Sequence, residues 1–167
     1  MYPETGGKLK MLQKKRLTPE QAFPKLKYYC GYQERSHAEV KEKIYSYGLW
    51  KQDVEKLLSQ LIEEDYLNEE RFAKAFAGGK FRMKQWGKVK IKYELKQKQV
   101  SEYCIKKGLK EIDEEEYLKT LNKLLDEKSS ILKTEKNMLI KKRKISDYLL
   151  QKGYERDLIM QLLTIKQ

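Results

Sequence analysis

The chain has 167 residues, with 37 lysines and arginines against 25 acids, a formal net charge of +12 and an isoelectric point of about 9.5. At 40% apolar and 37% charged residues, it carries enough apolar side chains for thin helical cores and too many for a disordered chain. Two cysteines exclude a disulfide framework or a thiolate zinc site. No run approaches signal-peptide or membrane-span character, so a cytoplasmic location is expected.

Residues 1–18 read as a basic, flexible tail, because Lys8, Lys10, Lys14, Lys15 and Arg16 follow Gly6-Gly7 with no acid among residues 8–16. A first unit, residues 19–67, opens with a helix that places Ala22, Leu26, Tyr29 and Cys30 on one side and Pro24 near the first turn. Ser36-His-Ala-Glu39 is a capping-box sequence for a second helix with Val40 and Ile44 inward, ended by Gly48 in a left-handed conformation. The third helix carries Val54, Leu57, Leu58, Leu61 and Ile62 at spacings of three and four.

The second unit, residues 68–112, starts at Asn68 as a cap, followed by Glu69 and Glu70. Phe72, Ala73 and Phe76 form its first stripe, and Gly78-Gly79 either ends or bends that helix or is crossed by it. Trp86-Gly87 starts its second helix and Ser101 caps a short third. In the third unit, residues 113–167, a long first helix is expected from Asp113 through Leu118, Leu121, Leu124, Leu125, Ile131 and Leu132 towards Met138 and Leu139. Ser129-Ser130 is the place where it would break. No segment alternates like a strand, so the fold class is all-α.

One phrase recurs three times. Val40/Ile44 before Tyr47-Gly48, Ile91/Leu95 before Lys98-Gln99, and Ile145/Leu149 before Lys152-Gly153 share their apolar spacing. The positions that follow agree as well: Val54, Ile105 and Ile159, then Leu58, Leu109 and Leu163. A helical unit of roughly 50 residues used three times predicts an elongated molecule offering a long binding surface.

Catalysis finds little support. His37 is the sole histidine and follows a helix cap, where it reads as solvent-facing. Cys30 and Cys104 read as small buried side chains. The acidic clusters at Glu63 to Asp65, Glu69-Glu70 and Asp113 to Glu116 suit helix starts better than a cation. No metal, cofactor or enzymatic activity is therefore expected. The cations say more. Lys74, Lys80, Arg82, Lys84, Lys88, Lys90, Lys92, Lys96 and Lys98 stand against the single acid Glu94. Lys84, Lys88, Lys92 and Lys96 fall every four residues, a continuous basic stripe if one helix carries them. Such a stripe suits a phosphate backbone, while Phe81 and Trp86 are read as core aromatics rather than stacking groups. For the second run, Lys141, Lys142, Arg143 and Lys144, a polyanion contact and a solvated helix end both remain open.

Leu67-Asn-Glu-Glu-Arg-Phe-Ala73, then Phe76, Lys80, Arg82, Gly87, Ile91, Glu94-Leu95, Lys98 and Val100-Ser101, resembles the central motif of the RecX family. Arg35-Ser36, Glu39-Val40, Lys43-Ile44, Gly48 and Leu61 to Glu64 are similar to that family's first repeat, so the resemblance spans roughly residues 20–112. Gln99, where the family usually has glycine, and Gly78-Gly79 depart from the pattern. The resemblance implies tandem three-helix repeats in a curved, elongated molecule. It also implies binding within the helical groove of the RecA recombinase filament, with DNA contacted directly or within it, limiting filament growth or promoting its loss and so damping ATP hydrolysis and strand exchange in recombination and repair; a monomer is expected. Two further readings stay open: a helical DNA-binding protein acting without recombinase, and a protein-only scaffold.

Overall fold

The computed structural model describes residues 15–166 and places nine helices among them, with no strand. They run in threes: α1 Pro19–Tyr32, α2 His37–Ser46 and α3 Lys51–Glu63; α4 Glu69–Lys84, α5 Lys88–Gln97 and α6 Glu102–Leu109; α7 Glu114–Ile131, α8 Met138–Lys152 and α9 Arg156–Ile165. Short polar side chains satisfy the open amides at several starts. Thr18 and Ser36 form reciprocal capping boxes with Gln21 and Glu39, while Asn68, Ser101, Asp113 and Asn137 cap α4, α6, α7 and α8.

The recurring phrase falls on α2, α5 and α8. Val40, Ile44, Ile91, Leu95 and Leu149 are wholly buried and Ile145 nearly so, and the following Val54, Ile105 and Ile159 are buried too. Each phrase ends in a left-handed residue: Gly48 at φ 80°, Gln99 at φ 59° and Gly153 at φ 95°. Gln99 thus keeps the geometry that glycine would adopt without steric cost, so this departure changes the side chain and not the turn. The chain is an all-α helical repeat.

Local expectations meet several corrections. At Gly78-Gly79, where a break and a crossing are both open from sequence, helix α4 runs through unbroken. Gly79 faces open space, while a Cβ at Gly78 would meet only the mobile end of Arg82. Pro24 sits in the second turn of α1, with Pro19 taking the first-turn position. Residues 15–18 are not tail-like, because the Leu17 amide donates to the Tyr47 carbonyl at 3.0 Å and Arg16 lies 4.9 Å over the Trp50 ring. The remaining tail expectation lies on residues 1–14, outside the described residues. Helix α7 continues through Ser129-Ser130 and stops at Ile131, so Met138 and Leu139 open α8 instead and stand 60% and 80% exposed. Ile62, expected inward, is 43% exposed at the end of α3.

Buried side chains form two clusters. One lies within α1–α3 and around Leu49 and Leu67; the other runs continuously from Phe72 on α4 to Leu163 on α9. Two glycine contacts hold the second cluster together. A Cβ on Gly108 would lie 2.6 Å from the Ala73 carbonyl oxygen, so α6 crosses α4 backbone against backbone. The second contact is end to end. The Gly87 amide donates to the Lys152 carbonyl at 2.9 Å and the Val89 amide to the Gly153 carbonyl at 3.0 Å, which joins the start of α5 to the end of α8. Between α1–α3 and the rest the joint is ionic: Arg71 reaches Glu34 at 2.6 Å and Asp65 at 3.1 Å, and Lys98 reaches Glu39 at 2.9 Å.

One substitution chemistry should give opposite signs at two glycines. Gly79→Ala removes helix-interior glycine entropy without a clash and should stabilise by about 1 kcal/mol, raising Tm by roughly 2–4 °C. Gly108→Ala must push α6 off α4 and should cost about 1–3 kcal/mol. Equal shifts in thermal unfolding would contradict the α4–α6 contact.

Acid should loosen the ionic joint. Burial pushes the Glu39 carboxyl up, but hydrogen bonds from Lys98 and from Ser36 outweigh it and hold the group below its ordinary value. A depressed folded-state pKa contributes stability that is complete above the unfolded value and is lost as pH falls through the folded one. Glu39→Gln keeps a competent capping-box partner while removing the charge. Its stability deficit in urea titrations should therefore be constant at neutral pH and vanish at acid pH. A deficit that persists at low pH would show that Lys98 is not its origin.

Candidate nucleic-acid interface

The predicted stripe does not form as one row. Gln85, in a left-handed conformation at φ 56°, ends α4, so Lys84 closes that helix while Lys88 opens α5. Carboxylates distant in sequence then claim most of the remaining lysines. Lys88 is only 18% exposed at its side chain, forms an ion pair with Glu114 and lies 4.6 Å over the Tyr117 ring. Glu102 sits between Lys92 at 3.6 Å and Lys96 at 2.9 Å. Lys98 is held by Glu39, and Lys74 by Glu70 at 2.9 Å with Glu111 at 4.0 Å. Exposed pairs of this kind are weak and yield to a phosphate, but Lys88 is part of the α5–α7 contact. Its substitution reads folding rather than ligand binding.

A smaller group remains free. Among the described residues no carboxylate pairs with Lys80, Arg82, Lys84 or Lys90. Three of them surround one indole: Lys80, Lys84 and Lys90 place their ammonium groups 5.2, 5.7 and 4.5 Å from the Trp86 ring centroid. Trp86 packs partly against the core, as expected, yet its remaining face meets a pocket of about 200 Å³ shared with Lys90, Tyr148, Gln151 and Lys152. Lys128 lies 5.0 Å over Tyr148. Two aromatic faces and several cations thus converge where α4, α5 and α8 meet, an arrangement suited to a sugar-phosphate strand with an unpaired base. Tyr148 and Lys128 carried no sequence signal and Lys152 only its place in the recurring phrase, because the α5–α8 contact is what brings them to the site.

That contact is reinforced by hydrogen bonds across the junction. Lys152 Nζ donates to the Lys84 carbonyl at 3.2 Å and the Tyr154 hydroxyl to the Gln85 carbonyl at 3.0 Å, satisfying carbonyls left open where α4 ends. Tyr117 accepts from the Lys88 amide at 3.0 Å and donates to Glu155 at 2.6 Å. Burial, with Glu155 beside them, pushes both phenols well above the ordinary tyrosine range, so each stays protonated as a donor. The second basic run lies inside α8: Lys144 reaches Glu135 at 3.2 Å, Arg143 lies 3.9 Å from Asp147, and Lys141 and Lys142 have no carboxylate partner among the described residues.

Other candidates settle simply. His37 is half-buried in the first turn of α2 rather than fully solvent-facing. Both cysteines are buried, and burial pushes the Cys30 thiol up to about 11. No group of three or more His, Cys, Asp or Glu among the described residues is placed to hold a metal ion. No helix among them is long and apolar enough to cross a membrane.

Comparison with known proteins converges on one family. Residues 68–109 match the family model described as RecX, second three-helix domain. The regulatory protein RecX of Clostridium tetani is 31% identical over 121 residues, covering 72% of this chain and 55% of that protein, so the match spans little more than half the length of that relative. The regulatory protein RecX of Prosthecochloris aestuarii is 30% identical over 135 residues, covering 81% of this chain and 86% of that protein. In fold, the crystal structure of RecX from Lactobacillus salivarius superposes with a TM-score of 0.78 at 21% identity, over 88% of this chain and 97% of that one. With its repeat, its central motif and these relatives in agreement, the chain belongs to the RecX family of regulatory proteins.

Proposed function

We propose that this chain binds the RecA recombinase filament in the cytoplasm and restrains its assembly, ATP hydrolysis and strand exchange, without itself catalysing a reaction. One observation supports a role for DNA in that contact: Lys80, Lys84 and Lys90 gather around Trp86 with no carboxylate partner among the described residues. Arg82 and the run Lys141, Lys142, Arg143 and Lys144 extend the basic face. We assign the same role, more weakly because of their partners, to Lys74, Lys92, Lys96 and Lys98, while Lys88 serves the α5–α7 contact. Units 19–67, 68–112 and 113–167 would then touch successive parts of a long partner, so that several weak contacts act together. The alternative, a DNA-binding protein independent of recombinase, draws on the same cations, and the two readings separate by experiment.

Titration of the parent chain into a DNA-dependent RecA ATPase assay should lower the rate. The triple variant Lys80→Gln, Lys84→Gln, Lys90→Gln should do so only at much higher concentration. Against single-stranded DNA alone, losing three phosphate contacts should reduce the magnitude of the log–log salt slope by about 2. An unchanged slope would remove the Trp86 cluster from the interface. A parent chain that binds DNA yet leaves the ATPase untouched would favour the independent binder.

A further inference from the structure

A broad concavity lies away from the Trp86 cluster, on the outer side of α1 and α2. It encloses about 830 Å³, and four of the chain's twelve tyrosines line it. Tyr28 and Tyr32, one helical turn apart on α1, are 77% and 72% exposed, whereas Tyr29 and Tyr47 form the floor. Large aromatic side chains rarely stay this exposed together unless something covers them.

The charged side chains that line the groove are all of one sign. Lys15, Lys25, Arg35 and Lys43 line the groove, no carboxylate does, and none of the four has a carboxylate partner among the described residues. Arg35 stacks 3.9 Å over Tyr29, and Lys43 lies 5.3 and 5.5 Å from the Tyr29 and Tyr47 rings. Glu39 and Glu42 are close enough to act on Tyr29 but stand outside the lining.

We infer that this tyrosine groove is a second binding site whose ligand is single-stranded DNA. Cations that follow a phosphate backbone, alternating with rings on which successive bases stack, are the two parts of a sequence-tolerant single-strand platform. A duplex keeps its bases within the stack and cannot offer them to Tyr28 and Tyr32. An acidic peptide would engage the cations and leave both exposed rings unused. The preceding residues 1–14 contain Lys8, Lys10 and Lys14 against the single acid Glu4, so like charge opposes that segment as the occupant. The inference deepens the proposed function by giving the first repeat its own DNA contact, and it is tested without recombinase so that the two stand or fall separately.

The test is fluorescence anisotropy of a labelled oligothymidylate with the full chain, alongside a duplex and a poly-glutamate probe. Tyr28→Ala with Tyr32→Ala should weaken oligothymidylate binding by about 30-fold or more. It should leave the salt slope unchanged, since no phosphate contact is removed. Tyr28→Phe with Tyr32→Phe retains the rings and should bind within about threefold of the parent. Arg35→Gln with Lys43→Gln should reduce the slope. The inference is overturned if the double alanine variant binds as the parent does, if the phenylalanine variant loses binding as fully as the alanine one, or if duplex or poly-glutamate binding falls in parallel. The first outcome would leave the ATPase result, and hence the recombinase reading, untouched.

Discussion

The closest constraint in the molecule is the meeting of α8's last turn with α5's first. Open carbonyls at one helix end face open amides at another, so each supplies the partners that the other lacks, and the two helix dipoles meet with opposite sign. Only glycine permits it. A Cβ on Gly87 would lie 2.2 Å from the Gly153 carbonyl oxygen, and one on Gly153 would lie 2.1 Å from the Lys90 Cβ. Gly153 also holds a φ of 95°, which L side chains rarely adopt. From this contact follow the continuous core of α4–α9, the placing of Tyr117 and Tyr154, and the pocket in which Trp86 faces Tyr148.

The other joint is of a different kind. Arg71 and Lys98 tie the first repeat on through Glu34, Asp65 and Glu39, with side chains roughly a third exposed in most cases. Ion pairs of that exposure are screened by salt and contribute little each. A stiff body of two repeats thus carries a third on a weaker, charge-dependent joint, with one aromatic-basic surface on either side of it. A long partner could be met by both surfaces with the angle between them adjusted at modest cost.

Much of the fold was legible in the sequence because it rests on local rules. Capping boxes at Ser36 and caps at Asn68, Ser101 and Asp113 stand where short polar residues precede apolar periodicity. The phrase ending in Gly48, Gln99 and Gly153 carried the repeat even where glutamine replaces glycine. The site was less legible, because its chemistry depends on partners remote in sequence. Lys88, Lys92 and Lys96 look free until Glu114 and Glu102 fold against them, and the four-residue rhythm from Lys84 conceals a helix break at Gln85. Tyr28 and Tyr32 did offer a signal, an i, i+4 aromatic pair on the face of α1 opposite Leu26 and Cys30. Without knowledge of how α2 lies alongside, that pair could not be told from spare surface.

Hydrogen exchange across the whole chain, at low and at high salt, tests this two-body picture most directly. The amides of Gly87, Val89 and Lys90, donated to Lys152 and Gly153, should exchange only with opening of the entire α4–α9 body and should be insensitive to salt. Amides of α1–α3 should open in a separate unit whose protection falls as salt rises. Uniform protection of all nine helices at both salts, or early exchange at Gly87 and Val89, would contradict it.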